Sequence, residues 1–319
     1  MNPRVGDAVS QAFNRTGRLL FKPFDAATWF ILGFAAWLAH LFRSGGSGVG
    51  NYSGWNTGGG GGQPGGPFDA DNLQQFTRQV ERWLDQHWAW VTGTIVGATL
   101  LLTFIMAVVQ WLRARGTFMF IDGVVTGAPT VAESWKAFKT HGNSLFGLLL
   151  AVALLSMLFF LTGMAMIVAL VWPELRTGDP DPGVLLGAIG GGVAYFIVQA
   201  VAFYIVGIVI IDFIAPAMHL RDCSFGEGWR AVRREIFTGR KGLITRYVLM
   251  RFVLDIGASF AVTMLTCLTC CIASIPYLGT VIALPIYTTL RSYSLCFLDQ
   301  FGPEWRVFAP DATEDGSPR

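Results

Sequence analysis

Long apolar runs separated by short polar segments dominate the chain. About 20 apolar residues suffice to cross the hydrocarbon core of a bilayer as a helix. Six runs meet or approach that length, and they cover residues 24–42, 88–112, 145–172, 184–211, 243–272 and 276–298. The pattern predicts an all-α fold, a polytopic membrane helix bundle with six transmembrane helices.

Two of these runs have internal features that modify the prediction. The fifth run is longer than a bilayer requires and carries charged residues near its start, so we expect its first turns to protrude into the headgroups or the aqueous phase. Pro285 lies inside the sixth run and predicts a kink there, because proline removes a helical hydrogen bond.

The segments before the second run are amphipathic or rich in glycine. Residues 1–23 place apolar side chains on one helical stripe among several basic residues, which predicts a cytoplasmic amphipathic helix on the membrane surface. Glycine dominates residues 44–67, which predicts a flexible external loop. Residues 68–87 predict a surface helix leading into the span at residue 88. The six-span domain then occupies residues 24–301, and residues 302–319 form a cytoplasmic tail.

Composition identifies lipid as the solvent for most of the chain. Hydrophobic residues make up 53% of it, charged residues only 14%, and the mean hydropathy is +0.50. A soluble domain carries about 25% charged residues. The net charge of +2 is too small to indicate a nucleic-acid partner, and no basic cluster interleaves with aromatic residues as such a surface requires.

Basic residues sort to one side of the six predicted spans. Of the 23 lysines and arginines, all but Arg43, Arg78, Arg82 and Arg176 fall on the side that includes both ends of the sequence. The positive-inside rule assigns that side to the cytoplasm. We therefore expect a multi-pass protein of the bacterial cytoplasmic membrane with both termini cytoplasmic.

Two segments match at a constant offset of 94 residues. Residues 130–139 align with residues 224–233, and each copy opens with a Ser/Thr-x-x-Glu capping box, which marks the start of a helix. The match predicts that the chain contains a tandem repeat of a unit made of span, cytoplasmic amphipathic helix and span. A resemblance shared by all surface helices is the alternative.

The aligned segments supply candidate contacts to lipid headgroups. A tryptophan ring can lie at headgroup level while neighbouring basic side chains reach anionic phosphates. The candidates are Trp135, Lys136, Lys139, Trp229, Arg230 and Arg233. The alternative is that the basic residues act only as orientation signals.

The same offset relates glycines that would let two helices approach closely in lipid. Gly93 and Gly97 form a G-x-x-x-G pair that aligns with Gly187 and Gly191, and Gly183 extends the second set by one step. These five positions are the predicted sites of close helix packing.

Four charged residues lie toward the cytoplasmic ends of spans four to six. Arg251 and Asp255 are four residues apart on one helical face, and we expect them to pair. Arg291 is expected to pair with Asp255 or Asp212 across helices. A structural ion-pair cluster is favoured over a proton or ion path, which remains the functional alternative for ionisable groups in a membrane.

Other candidate chemistry is sparse. Cys267, Cys270 and Cys271 fall within about one helical turn, but small-residue packing explains them better than a metal or redox site. No zinc-protease motif, nucleophile elbow or phosphate loop is present. We therefore expect no catalytic activity and no cofactor.

Three stretches carry a resemblance to known proteins: residues 12–24 with the following Trp29, residues 142–146, and residues 275–303. Together they resemble an uncharacterised family of bacterial six-span membrane proteins. More distantly, the span-loop-span units are similar to the membrane domain attached to some glycerophosphodiester phosphodiesterases. The resemblance implies a fold, but the metal-binding catalytic domain of those enzymes is absent from this chain.

The expected function is that of a non-catalytic envelope or membrane-organising component that binds membrane lipids or other membrane proteins. A small-solute or lipid transporter is the alternative. Polar residues facing a common cavity within the spans would favour a transporter, whereas a dry bundle with charges at its cytoplasmic rim would favour the organiser.

Overall fold

Helices form all of the regular structure in the described part of the chain. A computed structural model describes residues 3–22, 24–41, 70–127, 131–177, 181–269, 275 and 277–308. The helices are α1 (Val5–Phe21), α2 (Ala26–His40), α3 (Ala70–Thr126), α4 (Val131–Ala137), α5 (Lys139–Thr177), α6 (Pro182–Ile208), α7 (Ala215–Arg221), α8 (Phe225–Ala231), α9 (Lys241–Leu268), α10 (Leu278–Ile282) and α11 (Leu284–Asp299). Wider π-helical turns occupy Val209–Ile214 and Val232–Phe237, and a 3-10 turn occupies Pro303–Trp305. The predicted loop 44–67 lies outside the described residues.

Within the described residues, four helical stretches are long and apolar enough to cross a membrane: Asp85–Thr126, Lys139–Arg176, Pro182–Arg221 and Lys241–Leu268. Their large apolar side chains are widely exposed, with Leu100 at 66%, Leu186 at 71% and Phe260 at 65%. Such surfaces are costly in water and favourable against lipid. The described helices therefore indicate a multi-pass membrane protein.

The first and sixth predicted spans do not appear as long spanning helices. Helix α2 has only 15 residues. The sixth run divides at Ala283 into α10 and α11, and Pro285 lies in the first turn of α11, where its missing amide costs nothing. Every residue from Tyr287 to Leu298 is buried in the protein. The structure thus supports four of the six predicted spans, because an apolar run looks the same in sequence whether protein or lipid covers it.

The chain divides into two compact units. The first comprises Met1–Gly54, Val109–Leu149 and Ile205–Arg319, and the second comprises Trp55–Val108 and Leu150–Tyr204. Helix α11 lies at the centre of the first unit, where it contacts α1, α2, α9 and the first π-helical turn.

Within the second unit, two hydrogen bonds from side chains of α6 to backbone carbonyls of α5 join these helices. The hydroxyl of Tyr195 donates to the carbonyl of Phe159 at 2.8 Å, and the amide of Gln199 donates to the carbonyl of Ser156 at 2.9 Å.

Helix α1 packs antiparallel along α11 rather than only resting on a membrane surface. The backbone amide of Arg4 donates to Gln300 at 2.6 Å near one end, and the hydroxyl of Thr289 donates to that of Thr16 at 3.2 Å near the other. The buried residues of α1 are Ala8, Ala12, Thr16 and Leu20, spaced at four-residue intervals. Small residues at this spacing bring two helices close together.

The glycines predicted to pack closely have open space beside them in the described chain, so their packing stays a prediction. An added Cβ at Gly93, Gly97, Gly187 or Gly191 would meet no heavy atom of the described chain within 4 Å, and at Gly183 it would meet only the side chain of Asp181. Spacing identifies a possible glycine face but not the face that a neighbour covers.

The close approaches occur at other glycines. A Cβ at Gly116 would lie 2.6 Å from the backbone nitrogen of Ala39 in α2, and one at Gly192 would lie 2.5 Å from the side chain of Ile167. Gly116 therefore requires the absence of a side chain, because it faces backbone atoms, whereas at Gly192 the end of the Ile167 side chain would have to move.

Candidate functional site

Three of the four predicted charged residues form a cluster inside the first unit. The Nε atom of Arg251 lies 3.3 Å from Oδ2 of Asp255 and 3.5 Å from Oδ2 of Asp212. The side chains of Arg251 and Asp212 are 3% and 2% exposed, whereas that of Asp255 is 26% exposed. A single guanidinium therefore joins two carboxylates from different helices.

Aromatic and backbone groups complete the surroundings of this cluster. The hydroxyl of Tyr247 donates to Oδ2 of Asp212 at 3.1 Å, and the ring of Tyr247 stacks on Tyr293 with centroids 5.0 Å apart. Nη1 of Arg251 donates to the carbonyl of Leu290 at 2.8 Å. The charged groups thus have protein partners at hydrogen-bonding distance.

Arg291 lies at the edge of this cluster. Its Nη1 donates to the carbonyl of Ile211 at 2.9 Å, and its guanidinium carbon lies 5.8 Å from the ring centre of Phe120. Ile211 directly precedes Asp212 within the π-helical turn. The predicted ion pair of Arg291 with Asp212 or Asp255 remains a prediction.

The composition of the cluster determines what it can do chemically. Counted together with Arg291 at its edge, the cluster contains two arginines and two aspartates, which have no net formal charge. Removing one member would leave an uncompensated buried charge. The π-helical turn around Asp212 is a second notable feature, because such turns are frequent at functional sites.

Four of the six predicted headgroup contacts lie on two short helices of the first unit, α4 and α8, and the other two, Lys139 and Arg233, lie just after them. Each has seven residues, and α4 maps onto α8 at the offset of 94. Lys136, Lys139, Arg230 and Arg233 are exposed, whereas Trp135 and Trp229 are half-buried.

The aromatic side of each short helix packs against the protein. The guanidinium of Arg115 lies 4.8 Å from the ring of Trp135 and 4.4 Å from that of Trp111, so one cation contacts two indoles that also meet edge-on. The ring of Trp229 meets Phe237 edge-on at 6.1 Å. The tryptophans therefore anchor α4 and α8 while their basic residues face outward.

The N-terminal capping of these helices is described for one copy. Ser224 and Glu227 form the predicted capping box, and the amide of Ser224 donates to Glu227 at 3.0 Å. This bond, together with the one from the Ser224 hydroxyl, lowers the pKa of the Glu227 carboxyl. Thr130, the predicted cap of α4, lies outside the described residues.

Sequence reasoning missed a polar clasp that docks the C-terminal segment. Both terminal nitrogens of Arg221 donate to the carboxylate of Glu235, one of them at 3.0 Å, and the indole of Trp305 donates to the same carboxylate at 2.8 Å. Trp305 is 2% exposed, so residues 303–305 are not free tail. The signal available in the sequence was a tryptophan in an otherwise polar segment.

The Arg221 guanidinium also fixes the ionisation of this clasp. Its hydrogen bonds lower the pKa of the Glu235 carboxyl, and the hydrogen bond from Trp305 lowers it further against the opposing effect of burial. The clasp is therefore an ionic one at neutral pH.

Within the described residues, no group of three histidine, cysteine or acidic side chains could hold a metal ion. Cys267 is exposed and not disulfide-bonded, and Cys270 and Cys271 lie outside the described residues. The cysteine cluster is therefore not described as a whole.

Comparison with known proteins gives a family without an activity. No curated protein and no solved structure matches the chain. A family profile described as a family of unknown function matches residues 4–284, and it supplies no link to phosphodiesterases or to a bacterial source. Because this match covers most of the sequence, the chain belongs to the DUF7544 family.

Proposed function

We propose that this protein is a non-catalytic component of the bacterial cytoplasmic membrane that binds anionic lipid and organises the lipids or membrane proteins around it. The observation that carries the proposal is the pair of short helices α4 and α8. Each follows a long apolar helix, is anchored by a half-buried tryptophan and presents two exposed basic residues on itself or just beyond its end.

This arrangement suits an anionic membrane surface. Helices α4 and α8 connect long apolar helices, so their basic residues lie where a span leaves the hydrocarbon. Each lysine or arginine near an anionic surface contributes about 1 kcal/mol of attraction. The chemistry is binding rather than conversion, since the buried cluster around Arg251 is paired within the protein.

Contacts at the start of α9 support six spans with both termini cytoplasmic. The guanidinium of Arg240 lies 5.2 Å from the ring of Phe301, so the chain after α11 returns to the end at which α9 begins. The 28 residues of α9 extend for about 42 Å at 1.5 Å per residue. The contact between Arg4 and Gln300 brings the N-terminal segment to the same side. In the proposed topology the chain crosses back through α10 and α11, and α2 supplies the first crossing.

The internal duplication also belongs to this proposal. The α3–α4–α5 segment has one seven-residue helix between long apolar helices, and the segment from α6 to α9 has two, α7 and α8, of which α8 aligns with α4. The matched bounds of α4 and α8 support duplication of a unit of span, short helix and span.

The experiment compares three variants that each remove two positive charges. Lys136→Gln/Lys139→Gln alters the α4 side, Arg230→Gln/Arg233→Gln alters the α8 side, and Arg78→Gln/Arg82→Gln is the matched control on the side predicted to be external. Each variant is placed in nanodiscs of mixed phosphatidylglycerol and phosphatidylcholine. Native mass spectrometry then counts the lipids that stay bound.

We expect the wild type and the control to retain phosphatidylglycerol preferentially. The α4 and α8 variants should lose that preference several-fold. Equal enrichment of phosphatidylglycerol in all four proteins would refute the proposal.

A transporter is the second candidate, and the surroundings of Asp212 favour it. A nearly fully buried carboxylate lies in a π-helical turn and accepts a hydrogen bond from Tyr247. Proteoliposomes loaded with a pH-sensitive dye test this candidate under an imposed potassium gradient. Proton flux in the wild type that is lost in Asp212→Asn would favour the transporter over the organiser.

A further inference from the structure

A cavity of about 400 Å³ lies where α1 ends, α2 begins and α3 has just ended. Arg18 and Lys22 line it from the end of α1, Asp25 and Trp29 from the start of α2, and Gly127 from the residue after α3. All of these residues belong to the first unit. None of them belongs to the Arg251 cluster or to α4 and α8.

The polar groups of the cavity favour an anion. Arg18 and Lys22 are exposed cations one helical turn apart. Among the described lining residues, Asp25 is the only acidic one. It is occupied as the N-cap of α2, because its oxygens accept from the amides of Ala27 at 3.2 Å and Thr28 at 2.9 Å and from the Thr28 hydroxyl at 2.6 Å. The described lining residues therefore carry one net positive charge, because two cations outnumber one carboxylate. That carboxylate is hydrogen-bonded to the first turn of α2.

The aromatic groups of the cavity favour a ligand with an apolar part. The indole of Trp29 donates to the carbonyl of Val281 at 2.9 Å, which fixes its ring in the wall. The rings of Phe21 and Phe24 each lie 5.4 Å from that indole, and both phenylalanines are more than half exposed. An apolar aromatic surface thus continues outward from the basic cavity.

We infer that this cavity binds the phosphodiester of an anionic membrane phospholipid, with Arg18 and Lys22 on the phosphate and the Phe21–Phe24–Trp29 rings against the adjoining glycerol and acyl groups. One net positive charge matches one phosphodiester. The cavity is larger than an inorganic phosphate requires and lies in the range of small-molecule sites, about 300 to 1,000 Å³. The inference deepens the lipid-binding function proposed above but places a defined site on other residues.

Free phosphate and a lipid headgroup share this chemistry, so the experiment separates them. The full chain in mild detergent is titrated with dihexanoyl phosphatidylglycerol and, separately, with inorganic phosphate, and binding is followed by microscale thermophoresis. The variant is Arg18→Gln/Lys22→Gln, and Arg4→Gln serves as the control, because it removes a charge from the other end of the same helix.

We expect the wild type and Arg4→Gln to bind the short-chain lipid with equal affinity. Arg18→Gln/Lys22→Gln should bind it at least about tenfold more weakly, because the charge-assisted hydrogen bonds to the phosphate are lost. The single variant Lys22→Gln alters an exposed turn residue and controls for misfolding. Weaker lipid binding by this variant at an unchanged melting temperature would support the inference without a folding defect.

Two outcomes would overturn the inference. Unchanged lipid affinity in both the single and the double variant would show that the cations do not contact the ligand. Inorganic phosphate binding as tightly as the lipid would show that the aromatic wall contributes nothing. The α4 and α8 variants should retain full affinity for the short-chain lipid here, so a failure of this site and a failure of the proposed function are read separately.

Discussion

At the scale of single residues, the buried guanidinium of Arg251 connects the other members of the charged cluster. It contacts two carboxylates and one backbone carbonyl, and its side chain is 3% exposed. Breaking a buried ion pair by removing one partner costs about 3 to 5 kcal/mol. We expect Arg251→Met to lower the melting temperature in detergent sharply. Arg246→Met, which removes an exposed arginine from the same helix, should leave it nearly unchanged.

The pairing of Arg291 can be decided by double-mutant cycles. One cycle combines Arg251→Met with Asp212→Asn, and the other combines Arg291→Met with Asp212→Asn. We expect a large coupling free energy in the first, because Arg251 lies 3.5 Å from Asp212. A large coupling in the second as well would establish the Arg291 pair that the sequence predicts. No coupling in either cycle would contradict the cluster.

The clasp at Glu235 makes a prediction about pH. The pKa of the Glu235 carboxyl is lower in the folded protein than in the unfolded chain, where it is about 4.3. The ionised carboxylate therefore stabilises the folded state fully above the unfolded pKa, and this stabilisation is lost as the pH falls through the folded pKa. Acidification from pH 6 to pH 3.5 should therefore lower the melting temperature of the wild type more than that of Glu235→Gln. Parallel pH profiles of the two proteins would show that the clasp does not contribute.

Residue partners could be predicted only where they are local in sequence. The Arg251–Asp255 pair follows from four-residue spacing on a helix. The hydrogen bond of Arg291 to the carbonyl of Ile211 could not be predicted, because a backbone acceptor has no signature in the sequence. The Arg18–Lys22 cavity depends on three elements meeting, and periodicity along α1 alone gives only an amphipathic helix.

At the scale of helices, we expect an added methyl group to destabilise the protein at Gly116 but not at Gly187. A Cβ at Gly116 would collide with the backbone of α2, and overpacking costs about 1 to 3 kcal/mol. A Cβ at Gly187 meets nothing within 4 Å in the described chain, and alanine there should be neutral or slightly stabilising. Melting temperatures of Gly116→Ala and Gly187→Ala compare the two sites. A larger loss for Gly187→Ala would restore the glycine face that the spacing predicts.

The elements themselves were predictable to different degrees. The four long helices follow from apolar runs, and the predicted boundary at residue 88 coincides with the kink at His87 in α3. The sixth predicted span ends in α11, whose residues Tyr287–Leu298 are all buried in the protein, including Thr288, Arg291 and Ser292. Hydropathy shows how apolar a run is. Whether lipid or protein surrounds that run depends on which other helices pack against it.

At the scale of the whole molecule, topology is the property that most needs measurement. We expect alkaline phosphatase fused after Lys139 or after Arg233 to be inactive and fusions within residues 44–67 to be active, because basic residues sort to the first two sites. Green fluorescent protein fusions at the same positions should give the opposite pattern. High phosphatase activity after Lys139 would reverse the orientation and place α4 and α8 outside.

The antiparallel pairing of α1 with α11 has a consequence for biosynthesis. Arg4 and Gln300 are 296 residues apart, and Thr16 and Thr289 are 273 apart, so α1 leaves the ribosome long before its partner exists. The polar residues of α11 also weaken its own insertion into the bilayer, since the translocon releases apolar segments to lipid more readily. The first unit therefore completes its core only when synthesis reaches α11. Premature termination before residue 284 would leave α1 without its partner, a state that membrane proteases can recognise.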